Sequence, residues 1–241
     1  MRERLILLPG WAIGPGALEP LRDALLERAP HLMVEIEPLP ALEQSGAWLD
    51  ELDARLPRDS WLAGWSLGGM LAAQLAARRG DACRGLIGLC SNLSFRQRDD
   101  WPQAMSQEVF TAFHEACRLD PALTLKRFSL LVAQGARDAR TLARQLQVTQ
   151  LATEPRVLDA GLRLLDVLDI RAAVEGFAGP QLYLFAGRDA LVPAGTAEAL
   201  LEWLPDLETS LFPEASHGLP LECPEAVADV ILDFMREGED V

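Results

Sequence analysis

A serine, a histidine and an aspartate can together carry out acyl transfer. The serine attacks, the histidine takes its proton, and the aspartate fixes the imidazole tautomer and steadies its cation. The serine that stands out here is Ser66, in Gly64-Trp65-Ser66-Leu67-Gly68-Gly69 directly after the apolar run Trp61-Leu62-Ala63. The pattern reads as a strand turning sharply into a helix, with the serine held at the apex in a strained conformation and its hydroxyl lifted clear of the sheet edge. Glycine two residues before and two after is what the sterics of such a turn demand. The bare pattern also fits an ordinary turn. The preceding strand and the amphipathic Met70–Ala76 stretch favour the elbow.

Three histidines are available as base. His31 reads as a surface loop residue between Pro30 and Leu32, and His114 as an exposed or structural residue on a helix. His217, in Ala215-Ser216-His217-Gly218-Leu219-Pro220, follows the last expected strand, where a loop can bring the ring to the sheet edge that carries Ser66. Asp189 follows the strand before it, in Gly187-Arg188-Asp189-Ala190-Leu191-Val192-Pro193. Glu214 is a weaker acid candidate, being too close along the chain to orient the His217 ring from beneath. A tetrahedral intermediate needs two donors for its oxyanion. The expected pair are the backbone N–H of Leu67 and that of Trp11, the latter in the loop Leu8-Pro9-Gly10-Trp11-Ala12 where Gly10 lets the chain approach the serine. Trp11, Trp65 and Phe128 read equally as the lining of an apolar acyl slot or as plain core aromatics. This chemistry calls for no metal and no organic cofactor.

These residues must be positioned by a sheet. Short apolar runs at Leu5–Leu8, Met33–Pro38, Ser60–Trp65, Gly85–Cys90, Gln181–Ala186 and Glu208–Phe212 read as strands. They alternate with helical patterns at Leu18–Ala29, Ala47–Leu56, Leu67–Arg79, Thr196–Trp203 and Pro224–Arg236. That alternation predicts an α/β fold with a mostly parallel sheet of about six strands, whose chemistry sits at the C-terminal strand ends. From Ser94 to Gly176 only helical periodicity is present, punctuated by Pro102, Pro121 and Pro155. The organisation expected is a core of residues 1–93 and 177–241 with an all-helical cap, residues 94–176, inserted between two strands.

At 241 residues, with 49% apolar and 24% charged side chains, the composition is that of a soluble globular chain with a large core. The first apolar stretch, Leu5–Leu8 after Met1-Arg2-Glu3-Arg4, is too short for a signal peptide. Cys83, Cys90, Cys117 and Cys223 have neither zinc nor redox spacing and read as reduced thiols, so a cytoplasmic monomer is expected. A net charge of −14 argues against nucleic acid or an anionic membrane as partner. The segment from Arg118 to Arg144 nevertheless carries +4, leaving −18 on the rest. By charge alone this basic island is either a solvated helix face or a docking patch for something anionic.

The order Ser66, Asp189, His217 is that of the α/β-hydrolases, and the chain resembles that superfamily over essentially its whole length. Within it, the sequence is similar to the BioH-type carboxylesterases, which cleave the methyl ester of pimeloyl-acyl-carrier protein. The similarity rests on Gly10-Trp11, on the Gly64–Gly69 elbow and on Asp189–Pro193, with Trp101-Pro102 and Lys126-Arg127-Phe128 in the cap. The resemblance implies that Arg127, Arg140 and Arg144 receive an acidic carrier protein, and it shifts the reading of the basic island towards docking. Three departures stand out: Pro9 replaces the family's histidine, Leu123 occupies a place where an arginine is expected, and the first expected strand matches the third of the usual eight, so a sheet without the leading hairpin is expected. The same residues would serve a carrier-protein thioesterase or a small-ester carboxylesterase, and more distantly a non-catalytic hydrolase-fold receptor.

Overall fold

The computed structural model describes residues 3–237; Met1, Arg2 and residues 238–241, parts of the two core segments expected from sequence, lie outside it. Six strands form one sheet, all parallel, in the order β2-β1-β3-β4-β5-β6. The strands are β1 (Arg4–Leu8), β2 (Met33–Ile36), β3 (Ser60–Trp65), β4 (Cys83–Leu89), β5 (Gln181–Ala186) and β6 (Glu208–Phe212). Their apolar runs reflect burial on both faces: every residue of β3 is buried, and all but the first of β1 and β5. The edge strands β2 and β6 are only partly covered.

Helices α1 (Glu19–Arg28) and α11 (Pro224–Glu237) pack together, while α2 (Trp48–Arg55) packs on α3 (Leu67–Arg79). The C-terminal end of α3 is tied down by Arg79, whose side chain is only 1% exposed. Its guanidinium donates to Asp53 Oδ1 at 2.8 Å and to the carbonyls of Asp53, Leu56 and Pro57 at 3.1, 2.9 and 2.9 Å. A buried cation survives only when its donors are matched in this way.

Between β4 and β5 lie five helices: α4 (Gln107–Leu119), α5 (Pro121–Val132), α6 (Ala139–Thr149), α7 (Pro155–Val167) and α8 (Arg171–Gly176). Ser106, Asp120 and Asp138 cap α4, α5 and α6 by accepting the N–H of Val109, Leu123 and Thr141. Pro121 and Pro155 are the first residues of α5 and α7, where a missing N–H costs nothing. Helices α4, α5, α6 and α7 pack on one another, whereas α8 packs on α3 beside the sheet. After β5 come α9 (Thr196–Trp203) and, beyond β6, the short α10 (Leu219–Glu222). Among the described residues no helix is long and apolar enough to cross a membrane.

The chain reverses direction across the sheet between β1 and β3: β2 lies on one side of β1, and all later strands lie on the other. Such a switch point opens a crevice at the C-terminal strand ends. The register pairs Leu8 with Gly64, which brings the loop after β1 beside the elbow after β3.

Candidate active site

Ser66 has φ 54° and ψ −117°, the left-handed region that a side chain rarely adopts. Strain of this kind costs on the order of 1–3 kcal/mol and persists only where the surroundings impose it. Here the Ser66 N–H is bonded to the Leu89 carbonyl at 2.9 Å, and the Ser66 carbonyl accepts from Gly69 N, Met70 N and Ser91 Oγ at 2.9, 3.2 and 3.0 Å. The flanking glycines are required. A Cβ at Gly64 would lie 2.2 Å from the Gly68 backbone, and one at Gly68 would lie 2.4 Å from the Pro9 carbonyl.

The two loops beyond β5 and β6 carry Asp189 and His217, the residues expected as acid and base. His217 Nδ1 lies 2.7 Å from Asp189 Oδ2, with the two side chains 0% and 1% exposed. Asp189 Oδ1 accepts the N–H groups of Leu191 and Val192 at 2.7 and 2.9 Å, which fixes the carboxylate plane. The two loops are also joined by the bond from Arg188 N to the Ala215 carbonyl at 2.9 Å. Trp65, the residue before the serine, donates its indole N–H to the His217 carbonyl at 2.9 Å. His217 Nε2 is buried with no hydrogen-bond partner among the described residues, so this nitrogen is free to accept or donate a proton.

The loop after β1 passes close to the serine at Gly10, where a Cβ would sit 3.3 Å from Ser66 Cβ. Ala12, two residues on, has φ 53° and turns the chain away. Among the described residues neither Trp11 N nor Leu67 N is hydrogen-bonded, which leaves both donors free. The Trp11 ring packs edge-on against Phe128 and Phe113, with centroids 4.9 and 5.6 Å apart. Its Nε1 donates to the Leu158 carbonyl at 2.9 Å, which ties the loop to α7. Trp11 and Phe128 thus sit together at the junction of the sheet edge with α4, α5 and α7, while Trp65 is sealed beneath with its N–H on the His217 carbonyl.

The remaining candidates fall elsewhere. His31 is exposed in a turn. His114, on α4, pairs with Asp159 of α7 at 2.7 Å and so joins two helices. Glu214 pairs with Arg188 at the surface. Arg127 of α5 and Arg140 and Arg144 of α6 are exposed and in no ion pair among the described residues.

Sequence reasoning did not find the residues that brace the site. Cys90 leaves β4 with φ 46° and places its Sγ, Asp189 and His217 within 4.8 Å of one another. Burial first, then the Asp189 charge, pushes the Cys90 thiol well above its ordinary range, so it remains a neutral thiol and a poor metal ligand. Ser91, bonded to the Ser66 carbonyl, and Glu222, beneath the His217 loop, carried no signal in their spacing, because their partners are distant in sequence or meet them only through the turn after β6.

Residues 5–230 match the family described as alpha/beta hydrolase family. A pimeloyl-[acyl-carrier protein] methyl ester esterase of Aromatoleum aromaticum is 36% identical over 98% of this chain and 99% of its own length. One from Yersinia pseudotuberculosis is 30% identical over 98% of this chain and 94% of its own. The biotin biosynthesis bifunctional protein BioHC of Cellvibrio japonicus is 34% identical over 97% of this chain, which spans 47% of that longer protein. Among solved structures, a bromoperoxidase from Bacillus anthracis superposes with a TM-score of 0.84 at 16% identity, over 98% of this chain and 92% of that one. An esterase from Exiguobacterium antarcticum gives 0.82 at 19%, over 97% and 92%. The chain belongs to the alpha/beta hydrolase family as a carboxylic ester hydrolase, and within that family it resembles the BioH-type esterases.

Proposed function

We propose that the chain is a serine carboxylesterase that hydrolyses the methyl ester of pimeloyl-acyl-carrier protein in biotin synthesis. The observation that carries the catalytic part is the sealed Asp189–His217 pair at 2.7 Å, held beside a serine in the strained elbow conformation. Ser66 Oγ attacks the ester carbonyl as His217 Nε2 takes its proton; Asp189 holds Nδ1–H and steadies the imidazolium. The N–H groups of Trp11 and Leu67 receive the oxyanion. The alcohol leaves with the proton from His217, and water then hydrolyses the acyl-enzyme by the same route, with no metal or cofactor in any step.

On this reading Trp11, Trp65 and Phe128, all buried in this structure, line the acyl slot. Of residues 94–176, expected as the cap, helices α4–α7 serve as the cap over the sheet, while α8 packs on α3 with the core. The substrate part is supported by the names of the relatives and by Arg127, Arg140 and Arg144, which are exposed and in no ion pair among the described residues. A carrier protein is strongly acidic, and a chain of net charge −14 would repel it without a locally positive surface.

The test has three arms. Ser66→Ala abolishes hydrolysis of p-nitrophenyl esters with the fold intact; retained turnover sinks the mechanism. The wild-type gene restores growth without biotin to a strain lacking its pimeloyl methyl esterase; failure to do so, with small esters still cleaved, favours a general carboxylesterase or a thioesterase. Charge reversal at Arg140 and Arg144 weakens turnover of carrier-bound ester and spares small esters; equal loss on both counts against docking.

A further inference from the structure

The loop that carries His217 is held from below by one carboxylate. Glu222, at the end of α10, accepts the N–H of Ser216 at 2.9 Å and its hydroxyl at 2.7 Å, both on Oε2. Ser216 Oγ in turn accepts the N–H of Gly218 at 3.1 Å, so both neighbours of His217 are fixed through this group. Ser216 and His217 are each 0% exposed, so no solvent replaces these bonds. The second oxygen of Glu222 accepts the backbone N–H of Arg137 at 3.1 Å, in the connection between α5 and α6.

That connection touches the triad loops at two further points. Gly218 N shares its hydrogen with the Val132 carbonyl at the end of α5, 3.1 Å away. Gly135, with φ 94°, lies so close to Arg188 that a Cβ there would sit 2.4 Å from the Arg188 carbonyl. Arg188 is the neighbour of Asp189. Leu142 of α6, the helix that bears Arg140 and Arg144, packs directly on Gly218, where a Cβ would meet it at 2.7 Å.

We propose that Glu222 is a positioning residue that holds the His217 loop and ties it to the α5–α6 connection, so that the arginine-bearing helix and the base move as one unit. The inference rests on the reading of His217 as general base. It goes beyond that reading by giving the basic surface a mechanical route to the chemistry. A partner seated on α6 would act on the histidine through Arg137 N–H, Glu222 and Ser216, without touching the triad.

The experiment compares Glu222→Gln, Ser216→Ala and the double variant with wild type on p-nitrophenyl butyrate. In Glu222→Gln an amide nitrogen must face one of the N–H donors, so one side of the clasp is lost. The expected kcat loss is about tenfold to a hundredfold, the scale on which small misplacements of reacting groups act, with KM little changed. The double variant loses no more than the worse single one, because both cut the same chain of bonds.

Two readouts need no substrate. The proton resonance of the His217 Nδ1–H shifts or broadens in Glu222→Gln, and amide exchange at Ser216 and Arg137 rises together. Unchanged kcat with an unchanged resonance, additive losses in the double variant, or faster exchange at Ser216 alone would each overturn the proposal. So would a kcat loss that only tracks the unfolded fraction in urea, and Ser216→Ala, the milder change, keeps that comparison open if Glu222→Gln folds poorly. A wild type that cleaves no ester would sink the esterase reading while the resonance and exchange arms still judge Glu222.

Discussion

The indole N–H of Trp65 donates to the His217 carbonyl at 2.9 Å, so the residue before the proposed nucleophile holds the residue proposed as its base. Trp65 and His217 are both 0% exposed, and no water can replace the bond. Trp65→Phe keeps most of the ring and leaves a buried carbonyl unpaired, which costs about 1–3 kcal/mol. Urea unfolding should record that loss, and kcat on a small ester should fall with it as the loop loosens. Full stability in the variant would mean that the bond carries no weight.

Asp189→Asn preserves shape and the contacts of Oδ1 to the N–H groups of Leu191 and Val192. It replaces the acceptor of the His217 Nδ1 proton and so favours the wrong tautomer. A loss in kcat of order 10⁴ is the expectation for such a change in a triad. Stopped assays with a p-nitrophenyl ester measure it directly, and a loss of less than tenfold would remove Asp189 from the mechanism.

Gly10→Ala tests the oxyanion loop. The new methyl would meet Ile13 Cδ1 at 2.9 Å and both Ser66 Cβ and the Trp65 carbonyl at 3.3 Å, tight contacts that a small loop shift relieves. The protein should therefore fold, while displacement of Trp11 N–H lowers kcat by about 10²–10³, the value of one oxyanion donor. Circular dichroism alongside kcat separates that outcome from misfolding.

Asp53 gives a prediction in pH. The hydrogen bond from Arg79 holds its carboxyl below the ordinary carboxylate range, against an opposing push from burial. A folded-state pKa below the unfolded one stabilises the protein fully above the unfolded value, and that stability is lost as pH falls through the folded value. Asp53→Asn should thus cost about 1.5–3 kcal/mol at pH 7, the worth of a hydrogen bond to a charged group. The gap to wild type should narrow below about pH 4, where the unfolded carboxyl begins to protonate. Urea midpoints at pH 7 and at acid pH read the two values, and a constant gap would refute the linkage.

The strands and most helices were legible because their information is local. Continuous apolar runs of strand length mark β1, β3 and β5, and the Asp120–Pro121 pair marks where one helix stops and the next begins. Boundaries moved where local signals are weak. The second strand ends at Ile36 rather than Pro38, because after the bond from Glu37 N to the Leu7 carbonyl at 3.0 Å the ladder meets Pro38, which has no N–H to donate. The fourth runs Cys83–Leu89 rather than Gly85–Cys90, because Cys90 takes a positive φ and turns out of the sheet beside Asp189.

The sequence by itself determined which residues could form a nucleophile elbow and which strand ends the acid and the base would follow, since glycine spacing and apolar runs are properties of neighbouring residues. Only the tertiary structure decided that Asp189 and His217 meet at 2.7 Å in a sealed pair, that Trp65 turns inward to the histidine carbonyl, and that Glu222 joins the histidine loop to the α5–α6 connection. Those are contacts between side chains and backbone groups brought together by strand order and loop packing. Spacing along the chain carries no record of them.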